Sequence, residues 1–110
     1  MTATTLHVPR RHRLPDRRRG ETFEFRHAGH DYTLTAGFYR TGDIGEIFLN
    51  AHKSGGDLEA VARDAAIIVS LALQYGADLA RIRNGVTRDS DGGPATLIGA
   101  ALDAIEEGRR

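Results

Sequence analysis

The longest apolar run in the chain lies within residues 57–76 and predicts one long helix. At ~1.5 Å per residue, such a helix is about 30 Å long. Its first half is amphipathic, with apolar residues on one side. Between residues 65 and 73 only Ser70 is polar, so we expect this half to be enclosed on all sides. The run is far shorter than the ~20 residues that a bilayer requires, so it predicts the central helix of a soluble core rather than a membrane span.

Apolar and polar residues alternate in the segment before this helix, which predicts three strands. The predicted strands are residues 22–26, 32–39 and 46–50. Phe23 and Phe25 share one face of the first strand, and four apolar residues share one face of the second. Short turns at residues 28–30 and 40–45 join the strands, so we expect an antiparallel meander.

Helix signals follow the predicted meander. Residues 51–56 form a connector, and Ser54 or Asp57 is the predicted N-cap of the long helix. Gly76 is predicted to end it in a left-handed conformation, and Asp78 to cap a short helix over residues 79–83. After a polar loop at residues 87–93, Pro94 is predicted to open a last helix. The fold class is therefore α+β: a three-stranded antiparallel meander packed on one long buried helix, followed by two shorter helices.

Composition narrows the possible functions. The chain has 110 residues, enough for one domain with a modest core. It has no cysteine, which excludes disulfides, thiolate metal sites and a cysteine nucleophile or radical on these residues. No apolar segment follows the basic start, so we expect no secretory signal and a cytoplasmic location. A small sheet has two edges to protect, and a homodimer that extends the sheet or buries a helix face is one way to do so.

Charge is unevenly distributed along the chain. Residues 1–20 hold six arginines and one aspartate, a net charge of +5, whereas residues 21–110 have a net charge of −5. We interpret residues 1–20 as a basic extended arm and residues 21–110 as a single domain. The arm could contact phosphate or an acidic partner. Two other interpretations stay open: it folds back onto its own acidic body, or it is a solvated tail.

Candidate chemical groups each have a structural alternative. Glu46 lies beside Ile47 and Phe48, where a carboxylate could have a raised pKa and transfer protons. Alternatively it faces solvent or fixes the turn by hydrogen bonding. Gln74 either contacts a ligand or ties the helix end to neighbouring backbone. Ser70 is predicted to bond to a carbonyl one turn earlier.

Metal and phosphate sites have weaker signals. His27 and His30 flank a turn beside Asp31, but no second cluster completes a zinc site, so we expect exposed turn histidines and no metal. The glycine-containing segments match no phosphate-binding fingerprint. Gly55 and Gly56 precede a helix N-terminus, which suits either an anion or a plain connector.

A set of residues between 11 and 82 resembles a known family. They are Arg13-Leu14-Pro15, Arg17, Thr22, His30, Tyr32, Leu34, Thr35, Gly45-Glu46-Ile47-Phe48-Leu49, Lys53, Gly55 and Ser70-Leu71-Ala72-Leu73-Gln74-Tyr75-Gly76. Together they resemble the TSCPD domain, named for a Thr-Ser-Cys-Pro-Asp signature. That domain is usually the C-terminal module of adenosylcobalamin-dependent (class II) ribonucleotide reductases. The signature itself is absent, and residues 93–96 stand in a comparable region.

The resemblance implies a link to deoxyribonucleotide synthesis, but not catalysis by this chain alone. The enzyme name that goes with the family is ribonucleoside-diphosphate reductase. The expected function is a non-catalytic interaction module that binds a reductase-like enzyme, itself or a nucleotide. Adenosylcobalamin belongs to the family's catalytic domain, so we expect no cofactor here. The candidate contact residues are Arg11, Arg13, Arg17, Glu46, His52, Lys53, Gln74 and Tyr75.

Two alternatives come from other functional classes. One is nucleic-acid binding through the basic arm, although no aromatic stacking platform accompanies it. The other is a small enzyme with a cleft formed by Glu46, His52 and Gln74. No membrane association is expected.

Overall fold

A computed structural model of the protein describes residues 9–50 and 56–109. Three strands precede three helices in this part of the chain. The elements are β1 (Gly20–His27), β2 (His30–Phe38), β3 (Ile44–Asn50), α1 (Asp57–Gln74), α2 (Leu79–Gly85) and α3 (Leu97–Gly108). The predicted α+β architecture is confirmed.

The strands form an antiparallel sheet in the order β1-β2-β3. The predicted alternation sets its faces: Phe23 pairs with Leu34, which pairs with Leu49, and all three lie on the face that packs against the helices. Ala28 and Gly29 both have positive φ in the β1–β2 turn, at 50° and 81°. That conformation suits a two-residue hairpin, because its twist matches that of the flanking strands.

Helix α1 is buried on one face only. Its small and branched residues Ala62, Ala66, Val69 and Leu73 pack into the core. The opposite side is exposed, so the expectation that residues 65–73 are enclosed on all sides is wrong. In the described part of the chain, the sheet and α3 cover a single side of this helix. A two-layer domain cannot cover both faces of its outer helix.

The remaining helices begin and end with recognisable caps. Asp78 caps α2 by accepting a hydrogen bond from Ala80 N at 3.1 Å, as predicted, and Gly76 has the predicted positive φ, 99°. Helix α3 begins at Leu97 rather than at Pro94, because Thr96 is its N-cap. Pro94 instead forms an isolated bridge with Arg88.

The cap of α1 differs from the prediction. Gly56 is the N-cap and contributes no side-chain hydrogen bond, while Asp57 lies in the first turn of the helix. The other predicted cap, Ser54, lies outside the described residues. Among the described helices, none is long and apolar enough to cross a bilayer.

Candidate functional site

The segment before β1 lies on the body of the domain. The described part of the arm before β1 is residues 9–19, which contain no helix or strand. His12 N donates to Gln74 O at 2.8 Å, and the Tyr39 hydroxyl donates to His12 O. At the other end of the arm, Phe38 N donates to Arg19 O at 3.0 Å. The arm therefore runs from the C-terminal end of α1 to the sheet, held by backbone bonds at both ends.

Gln74 joins the arm, α1 and β3. Gln74 is buried, with only 4% of its surface exposed. The amide Nε2 donates to Gly45 O at 3.0 Å, and Oε1 accepts from Arg11 Nε at 2.6 Å. Both ends of the buried amide are thus satisfied, as a buried polar group requires. The prediction that Gln74 ties the helix end to neighbouring backbone is confirmed.

Ser70 makes a similar connection one helical turn earlier. Its hydroxyl accepts from Ile47 N at 2.9 Å and lies 2.8 Å from Ala66 O, the predicted acceptor one turn back. Ile47 O is also within reach, at 3.1 Å. Strand β3 is an edge of the sheet, and its backbone groups need partners. Ser70 and Gln74 therefore fasten α1 along this edge.

Glu46 holds the arm from the other face of the sheet. It is 8% exposed and lies over Gly37, its register partner on β2. Arg18 donates to both carboxylate oxygens, with Nη2–Oε1 at 3.1 Å, and its Nη1 donates to Pro15 O at 2.8 Å. The hydrogen bond with Glu46 raises the pKa of Arg18 above its ordinary value. This geometry makes Glu46 an anchor for the arm. Its described hydrogen bonds go to Arg18 and not to the turn at residues 40–45, so the interpretation that Glu46 fixes this turn is wrong.

Tyr39 completes the contact between the arm and the sheet. Burial raises the pKa of its hydroxyl, an effect that the nearby Arg11 opposes. The hydroxyl donates its hydrogen bond to the arm at His12 O. A Cβ at Gly45 would lie 2.5 Å from Cε2 of the Tyr39 ring and 3.0 Å from Leu14. Glycine at this position lets the Tyr39 ring and the arm approach β3 closely.

The predicted site residues do not form one cluster. Arg11 and Gln74 are in contact. Glu46 contacts Arg18 instead, on the sheet face opposite α1, so Glu46 and Gln74 do not converge. Arg13 and Arg17 line two separate grooves, Tyr75 is exposed at the end of α1, and His52 and Lys53 lie outside the described residues.

Arg18 and Tyr39 were not predicted as site residues. Arg18 is one of three consecutive arginines, and nothing in the local sequence distinguishes it from Arg17 or Arg19. The only signal was indirect. A glutamate within an apolar strand needs a cationic partner if it is buried. Six of the 15 lysines and arginines of the chain lie in the arm.

A cleft of about 1230 Å³ opens between the arm, the β2–β3 turn and the junction of α1 with α2. Its wall is rich in arginine, contributed by Arg10, Arg11, Arg13, Arg40 and Arg109. A neighbouring groove of about 200 Å³ shares Pro15, Tyr39 and Arg40 with the cleft. Its remaining charged residues are Arg17, Arg18 and Arg19.

The described side chains do not form a metal site. Among the described residues there is no group of three or more His, Cys, Asp or Glu side chains that could hold a metal ion. The arginine-rich cleft wall is likewise unsuited to a metal, because guanidinium groups donate hydrogen bonds and do not coordinate cations. The absence of a cofactor from this chain stays a prediction.

Comparisons with known proteins identify related sequences. The family model described as "TSCPD domain" matches residues 7–105. A vitamin B12-dependent ribonucleotide reductase of Bradyrhizobium diazoefficiens is 45% identical over 69 residues, which cover 63% of this chain and 6% of that protein. The reductase of Rhodopirellula baltica is 38% identical over 79 residues, which cover 72% of this chain and 8% of that protein. The reductase of Streptomyces coelicolor is 39% identical over 71 residues, which cover 64% of this chain and 7% of that protein.

The similar region is a small part of each of these relatives. In seven matching curated reductases, the similar region covers between 5% and 12% of the length. No solved structure shows a significant match to this chain.

Proposed function

This chain belongs to the TSCPD domain family, and we propose that it is a non-catalytic module that docks on the catalytic chain of a vitamin B12-dependent ribonucleotide reductase. The similarity to such reductases supports a family link to deoxyribonucleotide synthesis. The observation that carries the docking proposal is an exposed apolar surface on α1.

This surface lies on the side of α1 opposite the sheet. We call it the outer face; it consists of Val61, Ile67, Ile68, Leu71 and Tyr75. Each of these residues is between 40% and 66% exposed. Large apolar side chains grouped on one helix face are typical of a surface that another chain covers. The family relationship points to a reductase as that chain, because the relatives carry a similar segment within a much longer protein.

The described contacts also support a non-catalytic role. Glu46 is bound by Arg18 and Gln74 is bound at both ends of its amide, so both side chains serve the fold. The 110 residues contain no cysteine, so no thiol on them could supply electrons for a reduction. A role in contact rather than in chemistry is the simplest account of these features.

The proposal can be tested with a class II reductase from which its own TSCPD segment has been deleted. The isolated chain is titrated against this enzyme, and Ile68→Glu is compared with Phe48→Glu. Phe48 is a matched control, since it is 50% exposed but lies on β3, on the sheet face opposite α1. Burial of one isoleucine contributes about 1.5–3 kcal/mol, so Ile68→Glu should weaken binding at least tenfold.

Phe48→Glu should leave the affinity unchanged. Absence of binding by the unmodified chain, or an equal loss in both variants, would contradict the proposal. Light scattering measures whether the isolated chain self-associates. If the chain does not bind the reductase but forms a dimer that Ile68→Glu abolishes, the outer face is the interface of a homodimer. The homodimer and the cytoplasmic location stay predictions.

Nucleic-acid binding is a second candidate function. Arg10, Arg13 and Arg17 form no ion pair with any described residue, whereas Arg18 is committed to Glu46. Phosphate contacts by the three arginines would make the affinity for single-stranded DNA fall steeply with salt. A flat salt dependence, or no binding at low salt, would eliminate this candidate.

A further inference from the structure

The arginine-rich cleft has a charge excess that reductase docking does not use. Five arginines line it, against two carboxylates, Asp43 and Asp78. Both carboxylates have partners of their own. Asp78 accepts from Ala80 N at 3.1 Å, and Asp43 accepts from the Thr41 hydroxyl at 2.9 Å. These partners are neutral, so both carboxylates keep their charge, and the five arginines of the wall exceed the two carboxylates by three positive charges.

Several guanidinium groups in the cleft retain donors. Arg11 uses Nε for Gln74, and neither of its terminal nitrogens has a described hydrogen bond. Arg10, Arg13 and Arg40 form no ion pair with a described residue. Arg109 lies over the Phe38 ring, with Cζ 5.2 Å from its centroid, which restrains the guanidinium at the wall. Like charges gathered in a cleft focus a field that attracts an anion.

The size and lining of the cleft indicate the class of anion. Its volume, about 1230 Å³, is enough for an organic ligand rather than a single inorganic ion. Arginine side chains bind phosphate oxygens in pairs through their forked donors. The wall also includes Leu14, Leu73 and Leu79, which can cover an apolar ring. A ligand that matches both parts has several phosphates joined to an organic group.

We propose that this cleft binds a small organic polyphosphate of nucleotide size. The phosphates contact Arg11, Arg13 and Arg40, and the organic group lies against the leucines. This site shares no residue with the outer face of α1. Failure of reductase docking and failure of polyphosphate binding are therefore distinguishable, since Ile68→Glu should leave polyphosphate binding unchanged.

Isothermal titration at low salt tests the proposal with three probes: metal-free ATP, inorganic tripolyphosphate and adenosine. We expect ATP to bind more tightly than tripolyphosphate, and adenosine to show no binding. The variant Arg13→Gln/Arg40→Gln should lose at least tenfold in ATP affinity. Its matched control is Arg26→Gln/Arg63→Gln, which removes the same charge from exposed arginines outside the cleft. The control should keep ATP affinity within twofold.

A second measurement reads the arm directly. In the unmodified chain, bound ATP should slow trypsin cleavage after Arg11 and Arg13 at least threefold. In Arg13→Gln/Arg40→Gln, only cleavage after Arg11 can be measured, and ATP should not slow it. Three results would overturn the proposal: no ATP binding at millimolar concentration, an equal loss of affinity in both double variants, or a single-stranded oligonucleotide that binds more tightly than ATP and displaces it. The last result would assign the cleft to nucleic acid.

Discussion

The contact between Gly37 and Glu46 makes the anchoring of the arm testable with a single methyl group. A Cβ at Gly37 would lie 2.7 Å from Cγ and 2.8 Å from Cδ of Glu46, closer than folded proteins tolerate. Gly37→Ala should therefore displace the carboxylate from Arg18. Gly20 is the register partner of Gly37 on β1, and a Cβ there would meet its nearest atoms at 3.5 and 3.7 Å, which is ordinary contact. Gly20→Ala is thus a matched control.

The size of the effect follows from two opposing contributions. Overpacking at a well-filled position costs about 1–3 kcal/mol of unfolding free energy. Replacing glycine by alanine also restricts the unfolded chain, which offsets this loss by about 0.4–1 kcal/mol. We expect Gly37→Ala to destabilise the protein by a net of about 1–2 kcal/mol. Gly20→Ala has only the second contribution, so it should be neutral or slightly stabilising.

Urea unfolding of a double-mutant cycle measures this contact. In a Glu46→Ala background, Cγ and Cδ are gone, so Gly37→Ala should then cost little. A coupling energy of about 1 kcal/mol or more between the two positions is expected. In parallel, trypsin should cleave the arm faster in Gly37→Ala than in Gly20→Ala. The same cost of Gly37→Ala in both backgrounds, with an unchanged cleavage rate, would refute the assignment of Glu46 as the anchor.

Three further predictions concern the body of the domain. Ser70→Ala leaves backbone groups of the edge strand β3 without a partner and should lower the unfolding free energy by about 1–3 kcal/mol. Urea unfolding measures this loss, with Ser90→Ala in an exposed loop as the control. Thr96→Ala removes the N-cap of α3 and should cost about 1 kcal/mol in the same assay. The hydrogen bond from Arg88 lowers the pKa of Asp103 in the folded state. The advantage of the unmodified chain over Asp103→Asn should therefore be complete above the ordinary Asp pKa of about 3.9 and shrink as pH falls towards the lowered folded value. An advantage that is constant between pH 7 and pH 3 would contradict the last prediction.

Local patterns were sufficient for the elements of the fold. Alternation along β2 identified the face that packs on the helices, and the glycine after α1 and the aspartate before α2 identified helix ends. These signals work because each depends on a few neighbouring residues. Pro94 shows the limit of such signals. Its ring suits a first helical position, but its bridge with Arg88 places it before the helix, and no local feature encodes that pairing.

Contacts of the arm could not be predicted in the same way. The sequence shows six arginines, but 28 residues separate Arg18 from Glu46, and 63 separate Arg11 from Gln74. Which arginine reaches which acceptor depends on the path of the arm over the folded body. The buried acceptors were recognisable, because Glu46 and Gln74 interrupt apolar segments. Their partners required the structure.

The exposed side of α1 links the one error in the predicted core to the proposed function. A helix that is apolar on all sides is expected to be buried on all sides. The sequence pattern does not say whether the residues that bury it belong to the same chain. In the described residues, the sheet and α3 use the side that carries Ala62, Ala66 and Leu73. Leaving Ile68 and Leu71 in water has no benefit for an isolated domain of this size. If the proposed docking is correct, the outer face of α1 is half of a core whose other half lies on the reductase, and this is the surface that Ile68→Glu tests.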